Sequence, residues 1–173
     1  MKVDLVAGVT PVSVSSVEQT ARELAKLIVD TEYAVGADAA AWEAAELAHR
    51  AAAGLLAVVR PPKADPALLM GVLAATGGAQ GGLAEVVAGS GADVRETVAG
   101  RTPRGYPVVF AERVVAPEQL RAGEPFDCQL QAVVTDPDRP RLAIFTLSSP
   151  TGRGWLEVSA AFGSVVASVD FRD

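Results

Sequence analysis

Four arginines in the second half of the chain, Arg101, Arg104, Arg139 and Arg141, have the residue type and spacing for anion recognition. A guanidinium holds a carboxylate or phosphate through two parallel N–H bonds, so several on one sheet edge would build a site for a small acidic molecule or an acidic partner. They meet only if the strand beginning near Tyr106 pairs antiparallel with the strand ending near Thr135, which brings residues 104 and 135 to the same end of a sheet. The competing expectation is an ordinary surface on which Asp136, Asp138 and Glu96 neutralise the arginines. A second feature is the polar row Asp127, Gln129 and Gln131, alternating with Phe126, Cys128, Leu130, Ala132 and Val134. That period of two gives a strand with one core face and one polar face. The polar face either meets solvent or is covered by another subunit through its uncharged amides.

Other chemistries find no support in the residues. One histidine (His49) and one cysteine (Cys128) are too few for a His/Cys zinc site, an iron–sulfur cluster or an intrachain disulfide. His49 sits in an Ala-rich helical stretch beside Arg50 and reads as a structural or solvated side chain. Cys128, between Phe126 and Leu130, reads as core packing. No Gly-Lys-Ser/Thr occurs, so there is no phosphate-binding lysine loop, and the Gly-rich stretch 77–82 lacks GxGxxG spacing. Ser90 is flanked by Ala88 and Ala92 rather than by the glycines of a nucleophile elbow. Asp136 and Asp138 flank Pro137, but Pro140 replaces the next oxygen ligand of a calcium loop. Glu43 and Glu46 lack the histidine of a di-metal helix motif. No metal and no cofactor are therefore expected.

The elements that would position these residues follow from composition and periodicity. The chain has 173 residues, a net charge of −6, 50% hydrophobic and 21% charged residues. This fits a single domain over 1–173 and is too apolar for disorder. The acidic balance argues against nucleic acid. No apolar run is long enough for a membrane span, and the N-terminal residues do not form a secretory signal, so a cytoplasmic location is expected.

Ser15 with Glu18 reads as a capping box opening a helix over 16–30. Asp38 reads as the cap of a second helix with Trp42, Ala45, His49 and Ala52 on its buried face and Gly54 as its stop. Strands are expected at 55–59, 67–76, 94–98, 106–115, 126–135 and 142–147, with a short helix around Leu83, Val86 and Val87. A terminal amphipathic helix carries Trp155, Val158, Phe162, Val165, Val166 and Val169, capped by Ser149 or Thr151. Clustered strands with hairpin links give an α+β fold: an antiparallel sheet with segregated helices, an α/β sandwich, and the C-terminal helix packed on the sheet.

The run Thr102-Pro103-Arg104-Gly105-Tyr106-Pro107-Val108-Val109, the segment Leu142-Ala143-Ile144-Phe145-Thr146-Leu147-Ser148-Ser149-Pro150, the terminal aromatic-ended helix and the opening Val9-Thr10-Pro11-Val12 resemble a group of uncharacterised actinobacterial α+β proteins. More distantly the layout is similar to the PsbP-like α/β/α sandwich superfamily. That superfamily's members are mostly non-enzymatic binding or assembly factors; the resemblance supports the fold, carries no catalytic motif and does not by itself transfer function. The leading expectation is a binding or accessory protein acting through protein–protein contacts, self-association included. The alternatives are a binding protein or enzyme for a small acidic ligand at the arginine edge, and a signal-less secretion substrate or its chaperone.

Overall fold

The computed structural model describes residues 1–28, 36–76, 94–114 and 128–172. The expected Gly-rich connection, the short helix near Leu83, the Ser90 turn and Asp127 lie outside the described residues. Within them the elements run β1 (Val9–Pro11), α1 (Val17–Ile28), α2 (Ala37–Arg50), β2 (Leu55–Val59), β3 (Ala67–Ala75), β4 (Val94–Arg101), β5 (Pro107–Val114), β6 (Cys128–Thr135), β7 (Arg141–Ser149) and α3 (Trp155–Ala167). The seven described strands form one antiparallel sheet in the order β1-β2-β3-β7-β6-β5-β4. The α+β reading is correct, and β7 is a central strand, as its apolar residues on both faces require.

The sheet is covered on its two faces by different helices. Odd-numbered residues of β7 and even-numbered residues of β6 face α3: Phe145, Leu147, Ala132 and Val134 pack with Val158, Phe162, Val165 and Val166. On the other face, Leu56 and Val58 pack with Leu24 of α1 and Ala41, Ala45 and Ala48 of α2. A smaller cluster, Val109, Ala111, Val133 and Leu142, lies further along that second face. Gly71 pairs directly with Phe145, and a Cβ there would lie 3.1 Å from the Phe145 ring and the Leu55 Cβ. The missing side chain lets the aromatic ring approach the neighbouring strand closely.

Several local expectations are corrected. The first helix is capped by Ser16, whose hydroxyl accepts the Gln19 N–H at 3.2 Å, while Ser15 donates to the Gln19 side chain. α2 starts after Gly36 in a left-handed conformation, and Asp38 lies inside its first turn rather than capping it. Its buried stripe is Ala37, Ala41, Ala45 and Ala48, and Trp42 is exposed with its indole N–H donating to Glu46. Alanines let α2 approach α1 and the sheet closely, which an indole on that stripe would prevent. The helix stops before Gly54, through Ala52 in the left-handed region (φ 51°). α3 likewise starts from a glycine, Gly154, at φ 74°, without a side-chain cap. Ser149 and Thr151 instead bond the backbone N–H groups of Gly152 and Arg153 in the approach to the helix. A Cβ on Gly154 would collide with Ala64, so Gly154→Ala meets both a steric clash and a disfavoured φ.

Phe162 is 1% exposed, so Phe162→Ala should cost about 3–5 kcal/mol in chemical denaturation. Trp155 is only half-buried at the start of α3, so Trp155→Ala should cost less than Phe162→Ala.

Candidate functional site

The antiparallel pairing of β5 with β6 places Val108 opposite Val134, so the β4–β5 and β6–β7 turns do fall at one end of the sheet. All four arginines belong to that end, but none of them stands as a group waiting for an anion. Arg141 donates through Nε to Asp136 at 2.7 Å and through Nη2 to the Phe171 carbonyl at 2.6 Å, and its guanidinium lies 5.5 Å from the centre of the Phe171 ring. Arg104 pairs with Asp170 at 3.1 Å. Arg101 donates to the Gly105 carbonyl at 2.8 Å, which closes the turn. Arg139 is exposed in the β6–β7 turn, close enough for its charge to act on Asp136.

The two aspartates at this end are correspondingly perturbed. Burial alone would raise the Asp136 carboxyl, but the Arg141 bond, the Asp138 backbone N–H and the charges of Arg141 and Arg139 outweigh it and hold the group below its usual value. Asp170 is held well below the carboxylate range by hydrogen bonds from the Arg172 side chain and backbone, reinforced by the charge of Arg104. It also accepts a bond from the Tyr106 hydroxyl at 3.3 Å, and Tyr106 meets Phe171 edge-to-face. Asp170 exchanges backbone hydrogen bonds with Lys2, which ties both terminal segments to this end of the sheet. The neutralisation foreseen through Asp136 is present, whereas Glu96 is at the other end of β4, and Asp170 takes the place expected of it.

Of the polar row, Gln129 and Gln131 are half-buried, and Gln129 donates to the Ser148 hydroxyl across the β6–β7 pair at 3.3 Å. They share the face that carries Val133, opposite to α3. Cys128 is half-buried rather than in the core. His49 links the two N-terminal helices: the Thr20 hydroxyl donates to the Ser13 carbonyl at 2.8 Å, which leaves its oxygen to accept from His49 Nε2 at 3.2 Å.

No family model matches the chain, and no curated protein does. Among the described residues no group of three or more His, Cys, Asp or Glu is arranged to hold a metal, and no described helix is long and apolar enough to cross a membrane.

Two features escaped the sequence reading. One is the clamp built on Asp170 and Arg172. The other is a groove of about 250 Å³ between the β4–β5 hairpin and α3, lined by Glu96, Val98, Phe110, Glu112, Leu130, Trp155 and Ser159. Glu96 and Glu112 are directly opposite partners. Counting outward from the turn, where Arg101 pairs with Pro107, leads straight to that pair, so hairpin register was a usable signal for it.

Proposed function

We propose that the chain is a cytoplasmic, non-enzymatic binding or accessory protein that acts through protein–protein contacts. One observation carries this reading: β4 is the last strand of the sheet, with a described neighbour on one side only, and Arg95 through Arg101 are exposed along it. Val98 is 55% exposed at its middle. Such an edge offers a row of backbone donors and acceptors to an added strand, from another protein or from a second copy. A bulge between Val94 and Glu96 interrupts only one end of it, and Glu96–Arg101 stays in continuous register. The resemblance to sandwich proteins that are mostly binding or assembly factors points the same way. A small acidic ligand at the arginine end draws less support, because Arg104 and Arg141 already hold carboxylates.

The test is capture of partners by the wild-type chain and by edge-blocked variants. On an edge strand, one of two neighbouring N–H groups faces inward and the other outward. Thr97→Pro and Val98→Pro are therefore both made, and the one that retains the native circular dichroism spectrum has the outward edge blocked. A partner bound by wild type and lost from that variant is the expected result. Turnover of a small molecule, or equal capture after the edge is blocked, contradicts the reading.

A further inference from the structure

The groove beside β4 identifies the chemistry of the partner, an inference that rests on the binding reading above. Val98, Phe110, Leu130 and Trp155 make it largely apolar, and Glu96 and Glu112 add two carboxylates to it from adjoining strands. Like charges directly opposite in an antiparallel pair destabilise the sheet. Among the described residues neither carboxylate has an ion-pair or hydrogen-bond partner, in contrast to Asp136 and Asp170 at the other end of the sheet.

We propose that this groove receives a basic side chain, arginine in preference to lysine, from an extended segment of a partner protein that adds to β4 as a further strand. Alternate side chains of an added strand fall on the α3 side, one strand spacing of about 4.8 Å beyond β4. A guanidinium there meets both carboxylates with its planar fork, its methylene stem lies along Val98 and Phe110, and the Trp155 ring offers an aromatic surface. The intervening side chains of the partner meet Thr97, Ala99 and Arg101, which face the opposite side, and are therefore polar or acidic rather than basic.

The same geometry disfavours a second copy as the occupant. Two β4 strands paired about a two-fold axis normal to the sheet keep every residue on its own face. Arg101 then stays on the face opposite to Glu96 and does not enter the groove.

The test uses the full chain and a synthetic peptide of the length of β4 that alternates arginine with threonine. Its counterpart carries citrulline, a neutral isostere, in place of arginine. Affinity is read by calorimetry, and the site by amide hydrogen exchange across β4. The arginine peptide is expected to bind and to protect the β4 amides, with the citrulline peptide at least about tenfold weaker. The double variant Glu96→Gln/Glu112→Gln is expected to lose about the same factor for the arginine peptide, without a lower thermal midpoint, since it removes a like-charge contact. Protection of β4 that is equal for both peptides, or unchanged in the double variant, overturns the basic-side-chain inference and leaves the edge as a binding surface. Charge-dependent binding without protection of β4 overturns the strand addition. A chain whose β4 amides are protected by neither peptide loses both the inference and this edge as the site of binding.

Discussion

The two ends of the β4–β5 hairpin differ in how far their carboxylates are satisfied. At the turn end, the Arg141 guanidinium is bonded to Asp136 and to the Phe171 carbonyl, and Arg104 and Arg172 both pair with Asp170. At the far end, Glu96 and Glu112 oppose each other beside an apolar groove, next in sequence to Arg95 and Arg113, and neither carboxylate has an ion pair to a described residue. Density of charge is therefore not by itself the mark of a binding surface here. Arg104 and Arg141 hold the C-terminal segment against the sheet, and the carboxylates without a described partner are where we propose that a partner binds.

The sharpest way to break this contrast is Arg141→Met. It leaves Asp136, whose side chain is 3% exposed, without the guanidinium bonded to it and with only the more distant charge of Arg139. Removing one partner of a buried pair costs about 3–5 kcal/mol, so urea denaturation should show a loss near the lower end of that range, since Arg141 itself retains some exposure. If Arg141 served a ligand instead, the free protein would lose little.

Acid provides the next test. Asp136 and Asp170 both have folded-state pKa values below their unfolded ones. Their contribution is complete above the unfolded aspartate value of about 3.9 and is lost as pH falls through the lower folded values. Denaturation midpoints followed from about pH 6 to about pH 3 should fall more steeply for wild type than for Asp170→Asn, which has one fewer linked carboxylate.

At the carboxylate end the sign reverses. Glu112→Gln should raise stability by about 0.2–1 kcal/mol, read by thermal unfolding at low salt, and the gain should shrink as salt is added. The smallest effect belongs to Arg104→Ala. Its side chain is 38% exposed and its pair with Asp170 is shared with Arg172, so its denaturation midpoint should move less than that of Arg141→Met.

Much of this architecture was legible in the sequence. The run 55–59 and the doubly apolar 142–147 announced interior strands, and the helical spacing of Val158, Phe162, Val165 and Val166 announced a helix on the sheet. Turn residues between 100 and 105 and between 136 and 140 located the two hairpins that gather the arginines. Caps were less legible, because Gly36 and Gly154 start helices through left-handed backbone and leave no side-chain signature. The buried face of α2 was misread because Trp42 outweighs an alanine in any hydrophobic pattern, although close helix packing selects the small residue. The partners of the arginines were only half visible. Asp136 is local to Arg141, while Asp170 reaches Arg104 only after α3 has crossed the sheet, a relation that no local pattern contains. Proximity in sequence places Glu96 with the arginines, whereas the hairpin register sets it against Glu112.

The most direct measurement of the contrast is amide chemical-shift mapping of the full chain with the arginine–threonine peptide and, in parallel, with a glutamate–threonine peptide. The account predicts shifts confined to β4, β5 and the start of α3 with the arginine peptide, and none at the turns holding Arg101, Arg104, Arg139 and Arg141 with the glutamate peptide. Shifts at those turns with the acidic peptide, and a silent β4 with the basic one, would contradict it.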